Sequence, residues 1–389
     1  MMEFVATCLF GLEKQLGEEL DALGVKRLDT MDGRVTFAGE ALDLARANMR
    51  LRLAERIYIK LGAFDARSFT ELFDGVRALP LEDYIGPCDA FPVKGHAIKS
   101  MLFSVPDCQR IVKKAAVERL RAAHGVTDLP EDGVKYQLEF FIFKDIATIM
   151  LDTSGVALHK RGYRPAAGAA PLRETLAAAM ALTTRPRPDT LLWDPFCGSG
   201  TILIEAALIL RGIAPNTGRD FAAMDFDFLD SGIWRIAREE CEDVAKRDEK
   251  IELFGSDIDE KVLGYARENA ARAGASDAIR FFTADARKIE KPDRRGTLIC
   301  NPPYGERLME MREVEALYRD IGRTFATFSP WQMYVLTSHP QFERLFGRRA
   351  DKKRRFYNGM IPCDLYQFFR PVTAEKQENR PYPPKRYQK

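Results

Sequence analysis

The sequence predicts an α/β chain in two parts, a small mixed α/β region followed by a doubly wound, mostly parallel sheet. Three observations lead there. Short apolar runs and amphipathic stretches alternate through the first 160 residues. From Thr190 the texture becomes strand, glycine loop, helix, repeated, and each apolar run closes on a polar residue. A length of 389 residues with 46% hydrophobic residues supports two or three packed domains rather than one.

The elements follow in order. Strands at 4–8, 34–37 and 56–61 alternate with helices at 12–23 and 41–51, the pattern of a small α/β or split βαβ module. A second set follows: helix 69–78, strand 90–98, helix 108–123, and strands 136–143 and 147–153 paired antiparallel across 144–146. The stretch 161–171, rich in Gly, Ala and Pro, reads as a linker, and 172–182 as a helix. Five apolar runs come next, at 191–194, 252–257, 279–285, 297–301 and 333–338. Runs this short, separated by helices, suit strands buried on both faces of a parallel sheet. Asn358-Gly359 within 356–369 predicts a type I′ hairpin, so the sheet closes on an antiparallel pair. The charged, Pro-rich tail beyond Pro371 is expected to be disordered.

Composition excludes several classes. No apolar stretch approaches the roughly 20 residues that span a bilayer, and no basic segment precedes a long apolar run at the amino terminus, so a cytoplasmic protein without a membrane partner is expected. The seven cysteines are scattered singly with no C-x-x-C pair, so neither a zinc site nor a disulfide framework is suggested, and no metal is expected. A net charge of +2 is too small to imply a polyanion partner by itself, so basic clusters must carry that argument. One is 344–355, containing RRADKKRR. The other is a face of helix 108–123: Arg110, Lys113, Lys114 and Arg121 project within about 100° of one another, opposite Ile111, Val112, Ala115, Ala116 and Leu120.

Chemistry is concentrated at the carboxyl ends of the later strands, where open α/β sheets bind their ligands. DPFCGSGT, 194–201, joins a strand to the helix 202–210. Gly198 and Gly200 allow a tight turn and close approach of a ligand to backbone amides. Position 203 is leucine where a dinucleotide fingerprint needs a third glycine, and no Gly-Lys-Ser/Thr phosphate loop is present. Asp257, in GSDID, ends the second strand, where a carboxylate can accept both hydroxyl protons of a ribose; Asp285, in TADA, ends the third and is placed to meet an adenine amino group. The most specific signal is Asn301-Pro302-Pro303-Tyr304 at the end of the fourth strand. An amino group on a base is a poor nucleophile because its lone pair is delocalised into the ring. Two acceptors, the Asn301 side-chain oxygen and the Pro302 carbonyl, would draw that nitrogen toward tetrahedral geometry. Two successive prolines stiffen the turn. Tyr304 offers a stacking face worth roughly 1 to 3 kcal/mol, which offsets much of the cost of extracting a base from its neighbours.

DPFCGSGT, the acidic second-strand end and NPPY, in that order, resemble the class I S-adenosylmethionine-dependent amino-methyltransferases. LHKRGYRPAAGAAPLRETLAAA (158–179), NPPYGERL (301–308) and FYNGMIPCDLYQFF (356–369) look like the bacterial family with an amino-terminal THUMP domain, whose best-known member makes N2-methylguanine in 23S ribosomal RNA. SVPDCQRIVKKAAVERL (104–120) is similar to the THUMP segment itself. The resemblance implies a ferredoxin-like subdomain (1–64), a THUMP domain (65–155), a linker (156–171), a Rossmann-like class I methyltransferase domain (172–371) and a tail (372–389). It implies S-adenosyl-L-methionine as cofactor, bound by Thr175, Asp194, Pro195, Cys197, Gly198, Gly200, Thr201, Asp257, Ile258, Asp285, Ala286 and Asn301. Asn301, Pro302, Pro303 and Tyr304 would hold the target base, and Arg110, Lys113, Lys114, Arg121 and Arg307 the RNA, 23S rRNA or a ribosomal precursor. A monomer is expected. Adenine N6 in DNA or RNA, a tRNA guanine, and a non-catalytic assembly role are the alternatives. Two departures stand out: the best-known member carries a second methyltransferase domain, whose activity is not expected of this chain, and 212–250 is an insertion without an evident role.

Overall fold

A computed structural model of the chain describes residues 1–164, 172–304 and 311–370. Most of the linker stretch, the segment holding Arg307 and the tail expected to be disordered lie outside the described residues. The chain forms two compact units, 1–179 with 208–249, and 180–207 with 250–389.

The first unit is built from β1 (Met2–Cys8), α1 (Glu13–Ala22), β2 (Lys26–Met31), β3 (Arg34–Gly39), α2 (Ala41–Arg50), β4 (Ala54–Asp65), α3 (Phe69–Ala78), β5 (Val93–Ile98), α4 (Val105–His124), β6 (Leu138–Phe143) and β7 (Ile146–Asp152). Local chemistry sets many of the boundaries. Ser68 Oγ accepts from the Glu71 amide at 3.2 Å at the start of α3, Glu40 and Asp43 form a capping box on α2, and Gly125 ends α4 at φ +66°. The seven strands make one sheet in the order β2-β3-β1-β4-β7-β6-β5. β4 is the seam: its first half pairs with β1 and its second with β7. The expected boundary at 64/65 therefore falls inside a strand common to both subdomains. β2 was not anticipated, because all six of its residues are exposed and no apolar alternation marks it.

The second unit holds β8 (Leu191–Asp194), β9 (Leu253–Asp257), β10 (Ile279–Thr283), β11 (Gly296–Cys300), β12 (Gln332–Thr337), β13 (Lys352–Asn358) and β14 (Ile361–Phe368). Its order is β10-β9-β8-β11-β12-β14-β13, with five parallel strands and an antiparallel pair. The chain leaves β8 toward β9 and β10, then returns to the other side of β8 as β11, so the topological switch lies between β8 and β11. α5 (Glu174–Thr184) precedes β8 and α6 (Thr201–Leu210) follows it. α6 is apolar nearly all round, as a helix buried on every side must be.

Two expectations change. All of the insertion but its last residue, 212–249, belongs to the first unit, where it forms α7 (Gly232–Val244). Arg46 of α2 donates to both oxygens of Glu240 at 2.7 and 2.5 Å, Phe226 stacks on Tyr136 at 4.4 Å between centroids, and the Ala223 amide donates to Thr153 O at 3.1 Å. The hairpin turns also differ. Asn358 pairs with Ile361, so Gly359 and Met360 are the central residues, and positive φ occurs at Gly359 alone (65°), the pattern of a type II′ turn. Positive φ at both central residues, which type I′ requires, occurs instead between β6 and β7, at Lys144 (51°) and Asp145 (64°).

Candidate active site

The loop after β8 is shaped by its own backbone. Asp194 is 1% exposed and accepts from the Phe196 amide at 3.0 Å, and the Gly200 amide donates to Cys197 O at 2.8 Å to close the turn. Pro195 and Cys197 are buried within it, and the Cys197 amide donates to Ser256 O of β9 at 3.0 Å. Gly198 and Gly200 have φ of +50° and +80°, where a side chain is strained. They differ in surroundings. A Cβ on Gly200 would meet the Phe281 ring at 3.1 Å and Ala266 at 3.3 Å, whereas one on Gly198 would meet nothing within 4 Å. Gly200 thus permits packing, and Gly198 borders open space. Thr201, 4% exposed, begins α6. Burial pushes the Asp194 carboxyl well above the usual range, the Phe196 amide opposes this, and the charge of Asp257 adds to it.

Asp257 ties the second strand to this loop. Its Oδ2 accepts from the Gly198 amide at 3.0 Å and its Oδ1 from the Asp259 amide at 3.1 Å. The helix-capping task falls to Asp259, which accepts from the Lys261 amide at 2.9 Å at the start of α8 (Glu260–Arg272). Ile258 between them is 65% exposed, an apolar side chain open beside the carboxylate. Trp193 Nε1 donates to Ser256 Oγ at 3.0 Å and further locks β8 to β9.

The Asn-Pro-Pro-Tyr corner leaves β11, all five residues of which are buried. Tyr318 Oη, on α9 (Met311–Ala326), donates to Pro303 O at 2.9 Å and lies 2.8 Å from Thr337 Oγ1 at the end of β12. Asn358 Nδ2, at the end of β13, donates to Tyr304 Oη at 2.9 Å. Burial raises the Tyr304 phenol well above its ordinary value, so it stays neutral. Within this corner the Asn301 side-chain oxygen is buried without a hydrogen-bond partner among the described residues. An amide oxygen so placed costs on the order of 1–3 kcal/mol, a penalty that a ligand donor removes.

Other expected residues are placed differently. Asp285 faces Arg287, which approaches at 2.7 to 3.0 Å through two nitrogens and holds the carboxyl below the usual range. Ala286 beside it is 4% exposed. Thr175 lies in the first unit, fully buried, with its hydroxyl donating to Glu55 Oε1 at 2.6 Å. Glu55 also pairs with His159 and Arg173, so the Thr175 hydroxyl joins a polar cluster within the first unit. The α4 face is uneven. Lys113 donates to Glu131 at 2.6 Å and to Phe91 O at 3.2 Å, 3.4 Å above the Phe91 ring, whereas Arg110 is 78% exposed beside Asp107. Lys114 lies 5.7 Å from the Phe73 ring, and Arg121 reaches Asp128 at 3.8 Å. Lys113 is therefore already engaged within the first unit, while Arg110 is the more exposed of the two. Tyr318, Thr337 and Asn358 escaped sequence reasoning as parts of the site, although Asn358 sits in the FYNG motif.

Comparison with known proteins now bears on this geometry. Residues 161–367 match the RMKL-like methyltransferase domain, 3–58 the RlmL ferredoxin-like domain and 66–152 the THUMP domain. The chain belongs to the RMKL-like methyltransferases. This RMKL-like methyltransferase is 43% identical over 377 residues to YpsC of Bacillus subtilis (strain 168), whose name proposes an RNA methyltransferase; the match covers 96% of this chain and 97% of that protein. It is 33% identical over 402 residues to the ribosomal RNA large subunit methyltransferase K/L of Aeromonas salmonicida (strain A449), covering 97% of this chain but 56% of that relative. Among solved structures, SMU.472, described as a candidate methyltransferase complexed with SAH, superposes with a TM-score of 0.90 at 40% identity over 96% of this chain and 99% of that one. A Listeria monocytogenes str. 4b F2365 protein described as a predicted N6-adenine-specific DNA methylase gives 0.89 at 44% identity over 95% and 96%. The RMKL-like chain is thus a class I methyltransferase with a ferredoxin-like and THUMP amino-terminal region.

Proposed function

We propose that this RMKL-like methyltransferase transfers a methyl group from S-adenosylmethionine to the exocyclic N2 of a guanine in RNA, with 23S rRNA as the substrate. The observation that carries the reading is the buried Asn301 Oδ1, unpartnered among the described residues, in a corner held by Tyr318 and Asn358. With Pro303 O taken by Tyr318, Pro302 O is the carbonyl left for a second N–H. Together these acceptors draw both protons of an amino group into hydrogen bonds and direct the nitrogen lone pair outward. Tyr304 is fixed at its hydroxyl, so its ring forms a rigid stacking surface.

The residues fit the cofactor. The open space at Gly198, the apolar side chain of Ile258 and the carboxylate of Asp257 suit an adenosyl group, with Asp257 on the ribose. When bound, S-adenosylmethionine supplies an electrophilic sulfonium methyl. No strong base is required of the protein, because holding two reactants in line contributes up to about 7–11 kcal/mol in well-oriented cases. SMU.472, complexed with SAH, supports the cofactor; the THUMP match and the K/L relative support RNA.

The test is transfer of label from tritiated cofactor to ribosomal RNA and to genomic DNA, with nucleoside mass spectrometry of RNA from a strain lacking the protein. N2-methylguanine lost from 23S rRNA is the expected result. Label in DNA alone, as N6-methyladenine, overturns it.

A further inference from the structure

The basic segment 344–355 and the exposed apolar tip of the last hairpin find no use in the chemistry above. The last four residues of that segment and the tip share one hairpin, and Arg349 lies three residues before it. β13 carries Lys352, Lys353, Arg354 and Arg355 along the open edge of the second unit's sheet, and it ends at Asn358, whose amide holds Tyr304 at 2.9 Å. Met360, two residues on and within about 7 Å of Asn358 along the chain, is 94% exposed at the tip of a two-residue turn. Ile361 after it is 38% exposed. Met360 thus stands out at a tight turn two residues from the asparagine that holds Tyr304, and at 94% exposure it is hardly packed among the described residues. The hairpin is firmly carried, since β14 pairs along its length with β12 and β13.

The cations are partly engaged. Lys353 pairs with Glu343, and Arg355 with Asp364 at 2.6 and 3.2 Å. Arg349 and Lys352 are exposed and have no ion-pair partner among the described residues.

We propose that the β13–β14 hairpin is a strand-opening device: Arg349 and Lys352 bind phosphates of the RNA strand flanking the target nucleotide, and Met360 enters the base stack at the place the extruded target leaves. The inference rests on the reading that the corner methylates a base amino group. Extrusion costs a few kcal/mol, least for a base already single-stranded, and proteins that unstack nucleic acid insert Met, Leu, Ile or Phe at the opened step. Phosphate contacts along the basic edge set the register of the strand.

The experiment uses the full-length chain, tritiated S-adenosylmethionine and a synthetic RNA carrying the nucleotide that the wild-type protein methylates, offered as a single strand and annealed in a duplex. Met360→Ala lowers kcat/KM about tenfold on the duplex and less than about twofold on the single strand, because the wedge is needed only where a stack must be opened; Met360→Leu restores the duplex rate. Equal losses on both forms, or an unchanged duplex rate, overturn the wedge. Lys352→Glu reduces the slope of log Kd against log salt by about 1, and an unaltered slope overturns the phosphate contact. A wild-type protein silent on RNA removes the proposed function and this inference together; an active wild type with an insensitive Met360→Ala removes this inference alone.

Discussion

Two regions drew attention in the sequence, the strand ends of the second unit and the basic face of α4 in the first, and the structure separates them by what their polar groups still have to offer. On α4, Lys113 is held by Glu131 and the Phe91 ring, and Arg110 stands beside Asp107. At the strand ends, Asn301 Oδ1 has no partner among the described residues and Gly198 borders open space. The lesson is that a charge is a weak indicator of function when an opposite charge lies within reach, while an unpartnered acceptor in a stiff corner is a strong one. Neutral groups in fixed geometry outrank charged groups on a mobile surface because the former cannot relax to satisfy themselves.

The largest effect falls on Asn301. Asn301→Ala lowers kcat by about 10² to 10³ with cofactor affinity within about twofold, since the lost acceptor acts on the amino group being methylated; single-turnover kinetics with calorimetry measure both, and parallel loss would show that Asn301 serves binding instead. Next is Asp257→Ala, which weakens cofactor binding about 10- to 100-fold through loss of the ribose acceptor and of the Gly198 anchor. Calorimetry showing unchanged affinity would remove Asp257 from the ribose.

Smaller effects separate the two lysines of α4. Lys114→Glu weakens RNA binding and reduces its salt slope by about 1, whereas Lys113→Met leaves the slope in place and lowers the melting temperature, because Lys113 ties α4 to Glu131 and Phe91. Equal effects on the salt slope would return Lys113 to the RNA face. The smallest concerns Glu19, whose oxygens accept from the Arg52 and Leu53 amides at 3.1 and 3.0 Å, and whose pKa desolvation raises from 4.5 to about 7. The folded state then holds the proton more tightly than the unfolded one. Its contribution is complete below pH 4.5 and is lost as pH rises through about 7. Wild type should therefore lose stability relative to Glu19→Gln across that window in thermal melts, and parallel curves would count against the raised pKa.

Much of the fold was legible from periodicity. The strands of the second unit, the helix Phe69–Ala78 and the closing hairpin stand where apolar spacing and turn residues place them. β2 was not legible, since exposed residues on an edge strand leave no alternation to detect. Nor was the destination of 212–250, because the Phe226–Tyr136 stack and the Arg46–Glu240 pair join positions far apart in the chain. The turn at Asn358-Gly359 shows a subtler failure. The dipeptide marked a hairpin, but the register, with Asn358 opposite Ile361, moved glycine to the first central position.

The chemistry readable from the residues alone is local: a glycine loop, an acidic strand end and a proline-stiffened corner are each written in a short run of adjacent residues, so identity and spacing suffice to single them out as candidates. The tertiary structure alone decided which of those groups are free. Asn358 meets Tyr304 across 54 positions, Thr175 meets Glu55 across 120, and Lys113 meets Glu131 across 18. Whether a polar atom is satisfied depends on everything packed around it, and that is a property of the folded core rather than of any motif.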